Sequence, residues 1–146
     1  LAGLRDIVTA MADQIRSVVD SSGFPIQVEP QYVIVPTPLT VDIYPGDVSR
    51  DADTRAFGDD GGYLFTVRAR INTPDFDSAY DALLSLMDDD DALCLALALL
   101  DGPTLNGYAS SVDVRDPTGL RAFETPNGDG AYLGFQFTAI VLPAHS

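Results

Sequence analysis

The sequence predicts an α+β chain. Three observations carry that expectation: apolar residues three and four apart over 4–20, a second run at helical intervals over 75–87, and two-residue alternation over 63–71 and again over 131–142. The 146 residues suit a single domain spanning 1–146, because one core commonly encloses about 100–200 residues. A chain of this size buries about 70% of the surface it exposes when unfolded, so its core needs no metal or disulfide staple.

Each element follows in order. In "LRDIVTAMADQIRSVVD", Leu4, Ile7, Val8, Met11, Ile15, Val18 and Val19 form one stripe, with Arg5, Asp6, Asp13, Gln14 and Arg16 mostly opposite. "SSG" at 21–23 ends this helix, Gly23 suiting the left-handed position after it. "QYVIVP" (31–36) and "LTVDIYP" (39–45) read as two proline-flanked strands, since proline donates nothing to a ladder and sits at strand ends or edges. In the second, Leu39, Val41 and Ile43 share the buried face. The polar, Asp- and Gly-rich stretch 46–62 is long for a loop within a compact domain and reads as a mobile arm.

"YLFTVRARI" (63–71) is the clearest strand. Tyr63, Phe65, Val67, Ala69 and Ile71 are expected to face helices, leaving Arg68 and Arg70 on an otherwise uncharged face. A helix follows with Phe76, Tyr80, Leu83, Leu84 and Met87 at its intervals, and Asp75 or Asp77 where an acid favours a helix start. Asp88 to Asp91 are expected to mark a solvated corner that ends this helix and caps the next, "ALCLALALL", with Leu93, Leu97 and Leu100 as its buried stripe. "DGPTLNGY" turns the chain around a buried Leu105, and "SSVDVRDP" reads as a strand with Val112 and Val114 inward and Asp113 and Arg115 outward. After a polar stretch through "TPNGDG", with its hairpin-turn signal, "AYLGFQFTAIVL" closes the chain with Leu133, Phe135, Phe137, Ala139 and Val141 inward. That makes four to five strands, an N-terminal helix and a central helix pair.

Composition narrows the function. The net charge is −14, from 22 acidic residues against 8 arginines, with no lysine. Nonspecific wrapping of nucleic acid draws on clustered cations and is disfavoured. A negative wall instead repels phosphates and lets a duplex pass. The hydrophobic fraction of 46%, with seven Phe and six Tyr, argues against disorder. Cys94 is the sole cysteine, which excludes an internal disulfide and a CxxC zinc site. No run approaches the roughly 20 apolar residues of a membrane helix, and no leader resembles a signal peptide, so the chain reads as cytosolic.

Catalytic chemistry finds little footing. His145 is next to last and Cys94 sits among apolar residues, so neither completes a nucleophile, base and orienter. "GDDGG" lacks the lysine and helix of a phosphate cradle. The aspartate run lacks the glycine and distal glutamate of a calcium loop, and consecutive aspartates on a helix diverge. A small metal-dependent enzyme using Asp89 and Asp90 stays as the minority alternative. Arginine on a strand face pairs bidentately with carboxylates. Arg68 and Arg70 are therefore candidates for contact with a neighbour, or for intrachain pairing with residues such as Asp113. Arg50, Arg55 and Phe57 in the arm are candidates for contact if the arm orders on a partner.

The order of elements resembles the tail terminator, or tail-completion, proteins of long-tailed bacteriophages. The resemblance runs along nearly the whole chain and rests on "PTPLTVDIYPGD", the aspartate corner with its short helix, "DGPTLNG" and "GAYLGFQFTAIV". It implies an antiparallel or mixed sheet with helices on one face, assembled as a homo-oligomeric, hexameric ring. Such a ring caps the tail tube, stops its polymerisation and joins it to the head connector, with DNA passing through the lumen. The expected partners are further copies, tail tube protein and connector proteins; the expected place is the neck region of the virion, after assembly in the host cytoplasm. No enzyme activity, metal or cofactor is implied. A head-completion or neck adaptor is the alternative within the same class.

Overall fold

A computed structural model describes residues 4–20, 25–36, 39–46, 63–72, 76–88, 94–102, 104–115, 117–125 and 131–143. Its elements are α1 (Leu4–Val19), β1 (Ile26–Glu29), β2 (Leu39–Pro45), β3 (Tyr63–Ile71), α2 (Phe76–Met87), α3 (Leu95–Leu100), β4 (Ala109–Arg115), β5 (Arg121–Glu124) and β6 (Ala131–Pro143). The strands form a six-stranded mixed sheet in the order β1-β2-β3-β6-β4, with β5 also paired to β6. Among the described strands only β1 and β2 pair in parallel, Ile26 lying opposite Leu39. The α+β class is as the sequence predicts, with one strand more.

The alternation in β3 and β6 sets the core. Phe65, Val67, Ala69 and Ile71 pack with Phe135, Phe137, Ala139 and Val141 and with Leu39, Val41 and Ile43 of β2. Helix α1 buries Ile7, Val8, Met11, Ala12, Ile15 and Val19 against this face. Ala79, Leu83 and Leu86 of α2 join the same cluster, whereas Leu84 is exposed. Each fully buried aliphatic side chain contributes about 1.5–3 kcal/mol relative to exposure.

Helix α3 departs from its expected face. Leu95, Ala98 and Leu99 are buried, while Leu97 and Leu100 are exposed. The helix begins at Leu95 with Cys94 as its N-cap, so no described aspartate caps it. The side that is buried is the one docked against α1 and β4, and the leucine spacing alone does not select it. Asp88 follows α2, its N–H donating to the Leu84 carbonyl at 3.0 Å. Asp89 to Asp91 and Leu93 lie outside the described residues. Gln14 of α1 secures the other end of α3 by donating to the Ala98 carbonyl at 2.6 Å, satisfying a helix-terminal acceptor.

The turn after α3 places Leu105 and Asn106 at φ 47° and 58°. Such left-handed backbone is costly for a non-glycine residue. It is offset at Leu105 by complete burial in the core.

Two further corrections concern strands. "RAFE", within the stretch 118–130 expected to be polar connection, pairs with β6 as β5. Strands β4 and β5 run along the same edge of β6, β4 pairing as far as Arg115 with Thr138 and β5 from Arg121 with Gly134. Thr118 bridges part of the gap: its N–H donates to the Gln136 carbonyl at 2.9 Å, and its hydroxyl accepts the Gln136 N–H at 3.0 Å. "QYVIVP" is not a strand. The ladder partner of β2 is instead "IQVE", and 30–36 forms a strap across the other face of the sheet, where its polar backbone meets side chains. "NGDG" and Gly23 lie outside the described residues.

A candidate interaction site on a clamped strap

The site begins with one aspartate. Asp42 sits in the middle of β2, directly opposite Arg68 of β3, and its position in the alternation turns it away from the helices. Arg70, two residues on, points to the same face. Both arginines are buried, at 5% and 3% exposure, and Asp42 is at 0%. The expectation that Arg68 and Arg70 lie together on one face holds, but the strap covers that face, and their partner is Asp42 and not Asp113. Asp113 pairs with Arg115 on exposed β4 at 3.3 Å.

The hydrogen bonds show what the burial achieves. Arg68 Nε donates to both Asp42 oxygens at 2.8 and 2.9 Å, and its Nη2 donates to Oδ2 at 2.8 Å. The same Nη2 donates to the Val33 carbonyl at 3.1 Å, while the Val33 N–H donates to Asp42 Oδ2 at 3.0 Å. Arg70 also donates to the Val33 carbonyl, and reaches Asp42 Oδ2 at 3.4 Å and the Ile34 carbonyl at 3.5 Å. Three side chains of the sheet thus take up backbone groups that a ladder would otherwise have satisfied.

Aromatic rings complete the clamp. The Arg68 guanidinium lies 4.3 Å from the centre of the Tyr32 ring and 5.0 Å from that of Tyr44, within cation–π range. Tyr32 and Tyr44 meet edge to face at 4.9 Å. Phe123 of β5 lies 6.0 Å from Arg68 and takes Arg121 at 4.9 Å.

Electrostatics separates the two arginines. Burial pulls Arg68 down, but the hydrogen bond to Asp42 and its charge outweigh that, so its pKa is raised. Burial and then the neighbouring Arg68 charge lower Arg70, with Asp42 only partly opposing them. Arg70 Nε has no hydrogen-bond partner. Two guanidinium groups share one carboxylate, leaving one positive charge in excess. A cavity of about 310 Å³ opens beside them, bordered by Tyr32, Ile34, Arg68, Arg70, Phe123 and Glu124.

This arrangement positions a surface. Asp42 is committed to four donor groups, all within the chain. The strap it holds displays Tyr32, Ile34 and Val35 at 57%, 62% and 46% exposure. Cys94 is buried. Among the described residues no group of three or more His, Cys, Asp or Glu converges as metal ligands. No helix among them is long and apolar enough to cross a membrane. Arg50, Arg55, Phe57 and His145 lie outside the described residues, as does the arm beyond Gly46.

No protein-family model matches this chain, and no curated protein matches it.

Sequence reasoning placed Arg68 and Arg70 but missed Asp42, Tyr32, Tyr44 and Phe123. One signal was present: "LTVDIYP" and "YLFTVRARI" each carry charge in the interior of an apolar strand, with opposite signs. Buried charges of opposite sign are found paired. The part of the strap was not readable, because Val33 contributes only its backbone.

Proposed function

We propose that this chain is a structural protein of the tail-terminator kind, assembling as a ring that caps a phage tail tube and offers a surface to the head connector. The observation that carries this reading is the strap: a non-ladder segment whose backbone is hydrogen-bonded to buried charged side chains of the sheet, with three large apolar side chains turned outward. Ordering those side chains before contact lowers the entropic cost of association. Further support comes from the arrangement of the sheet, with helices on one face and the strap on the other, which suits packing between flat neighbours. The net charge of −14 suits a lumen that DNA traverses without adhering.

Electron microscopy of the purified protein, alone and mixed with tail tubes, tests the proposal. Rings seated at tube ends, and tubes that stop growing when the protein is present, are the expected result. A protein that stays monomeric and leaves tube ends bare and growing would overturn it.

A further inference from the structure

We propose that Asp113 guards the free edge of the sheet, keeping the main chain of β4 closed to a strand from another molecule; the proposal does not depend on the ring reading above. Among the described strands β4 ends the sheet beyond β6. An edge strand presents N–H and C=O groups to any extended chain that meets it, and folded proteins blunt such edges with charges and bulges. Strand β4 carries both. Its register on β6 shifts between Ala109 and Ser111, and Asp113 and Arg115 stand exposed.

Backbone alternation decides which groups point outward. The Gln136 carbonyl accepts the Thr118 N–H, and the Gln136 N–H donates to the Thr118 hydroxyl, so both backbone groups of Gln136 turn toward β4 and β5. Strand β6 pairs with β3 without a break from Leu133 to Val141, so Thr138 and Ile140 turn the same way. Their partners Arg115 and Asp113 direct their backbone groups to β6, and those of Val112 and Val114 face away from it. At this outer edge the Val114 N–H donates to Asp113 Oδ1 at 2.9 Å, while Arg115 Nε donates to Oδ2 at 3.3 Å. The carboxylate thus sits where the carbonyl of an added strand would have to come. Displacing it breaks a charge-assisted bond, and leaving it in place sets two acceptors against one N–H. The strand kept out is β4 of a second copy: its seven residues carry the same outward groups, and two identical edges pair antiparallel about a two-fold axis.

The test compares the wild type with Asp113→Ala, which removes the acceptor, and Asp113→Asn, which keeps an oxygen for Val114 and removes the charge. The position is exposed, so neither change touches the core. Circular dichroism confirms that each full-length variant folds as the wild type does. Amide hydrogen exchange followed by NMR, expressed as protection relative to the unstructured sequence, then reads the Val114 N–H over a concentration series. Sedimentation velocity reads association in parallel. In dilute solution Asp113→Ala should lose at least about tenfold in Val114 protection, while Asp113→Asn stays near the wild type. As concentration rises, the Ala variant alone should regain that protection and form larger species than the wild type does at the same concentration. Val114 as well protected in Asp113→Ala as in the wild type overturns the proposal, because the carboxylate then caps nothing. A variant that loses protection yet associates no more than the wild type overturns it too, as does an Asn variant that associates like the Ala variant. Wild-type Val114 protection that climbs with concentration also overturns it, since the edge would then already be paired.

Discussion

Asp42 and Arg68 face each other across neighbouring strands, joined by both carboxylate oxygens and sealed from solvent. Removing one partner of such a pair leaves an uncompensated buried charge, which costs about 3–5 kcal/mol. Asp42→Ala strands two arginines and also releases the Val33 N–H, so a loss of that size is expected. Urea unfolding monitored by circular dichroism reads it, and a loss below about 1 kcal/mol would show that the pair does not hold the face together.

The two arginines are not equivalent. Arg68→Leu leaves Asp42 with Arg70 at 3.4 Å and the Val33 N–H, whereas Arg70→Leu leaves the close Asp42–Arg68 pair intact and removes an unpartnered Nε. Arg68→Leu should therefore cost about 3 kcal/mol or more and Arg70→Leu less than about 1.5 kcal/mol. The reverse order in the same unfolding assay would refute the assignment. Reversing both to Glu, which the sequence alone suggests as a test of assembly that spares the fold, places three carboxylates together under the strap. That double variant is expected to fail as a folded protein, so it does not report on assembly.

Gly134 of β6 lies opposite Arg70 of β3, where a Cβ would stand 2.0 Å from the Ala69 carbonyl oxygen. The obstacle is backbone, which cannot swing aside as a flexible side chain does. Gly134→Ala should destabilise by about 1–3 kcal/mol, the usual range for overpacking. Thermal unfolding checks this, and an unchanged Tm would mean that the two strands separate there at little cost.

Tyr44 predicts a pH effect. Burial, aided by the charge of Asp42 and opposed by that of Arg68, raises the phenol above its ordinary value of 10.0. The folded state therefore holds its proton at pH values where the unfolded state has begun to lose it. The resulting stability is fully present below about pH 10 and declines as pH climbs through the folded value. The Tyr44 hydroxyl has no hydrogen-bond partner, and the nearby Thr66 hydroxyl is committed to the Gly46 carbonyl at 2.8 Å. Tyr44→Phe should thus be neutral or stabilising at pH 7 and should flatten the decline above about pH 10. Stability measured against pH for both proteins decides, and parallel curves would exclude Tyr44 as the source.

Residue order alone was enough for the elements whose side chains carry their own periodicity. The spacing of Ile7, Val8, Met11 and Ile15 implies a helix and its buried side, and the alternation in "YLFTVRARI" and "GFQFTAIV" implies strands and their inner face. Those patterns are legible because each apolar residue must leave water whatever its neighbours are. Long-range contacts decided the remainder. "QYVIVP" has the β-branched content of a strand, yet Asp42, Arg68 and Arg70 capture the backbone of Val33 and turn the segment into a cover. Short β5 exists because β6 is long enough to pair with a second segment along one edge. A backbone group carries no residue-specific signal, so a site assembled from side chains on one segment and main chain on another becomes visible only once the two are brought together.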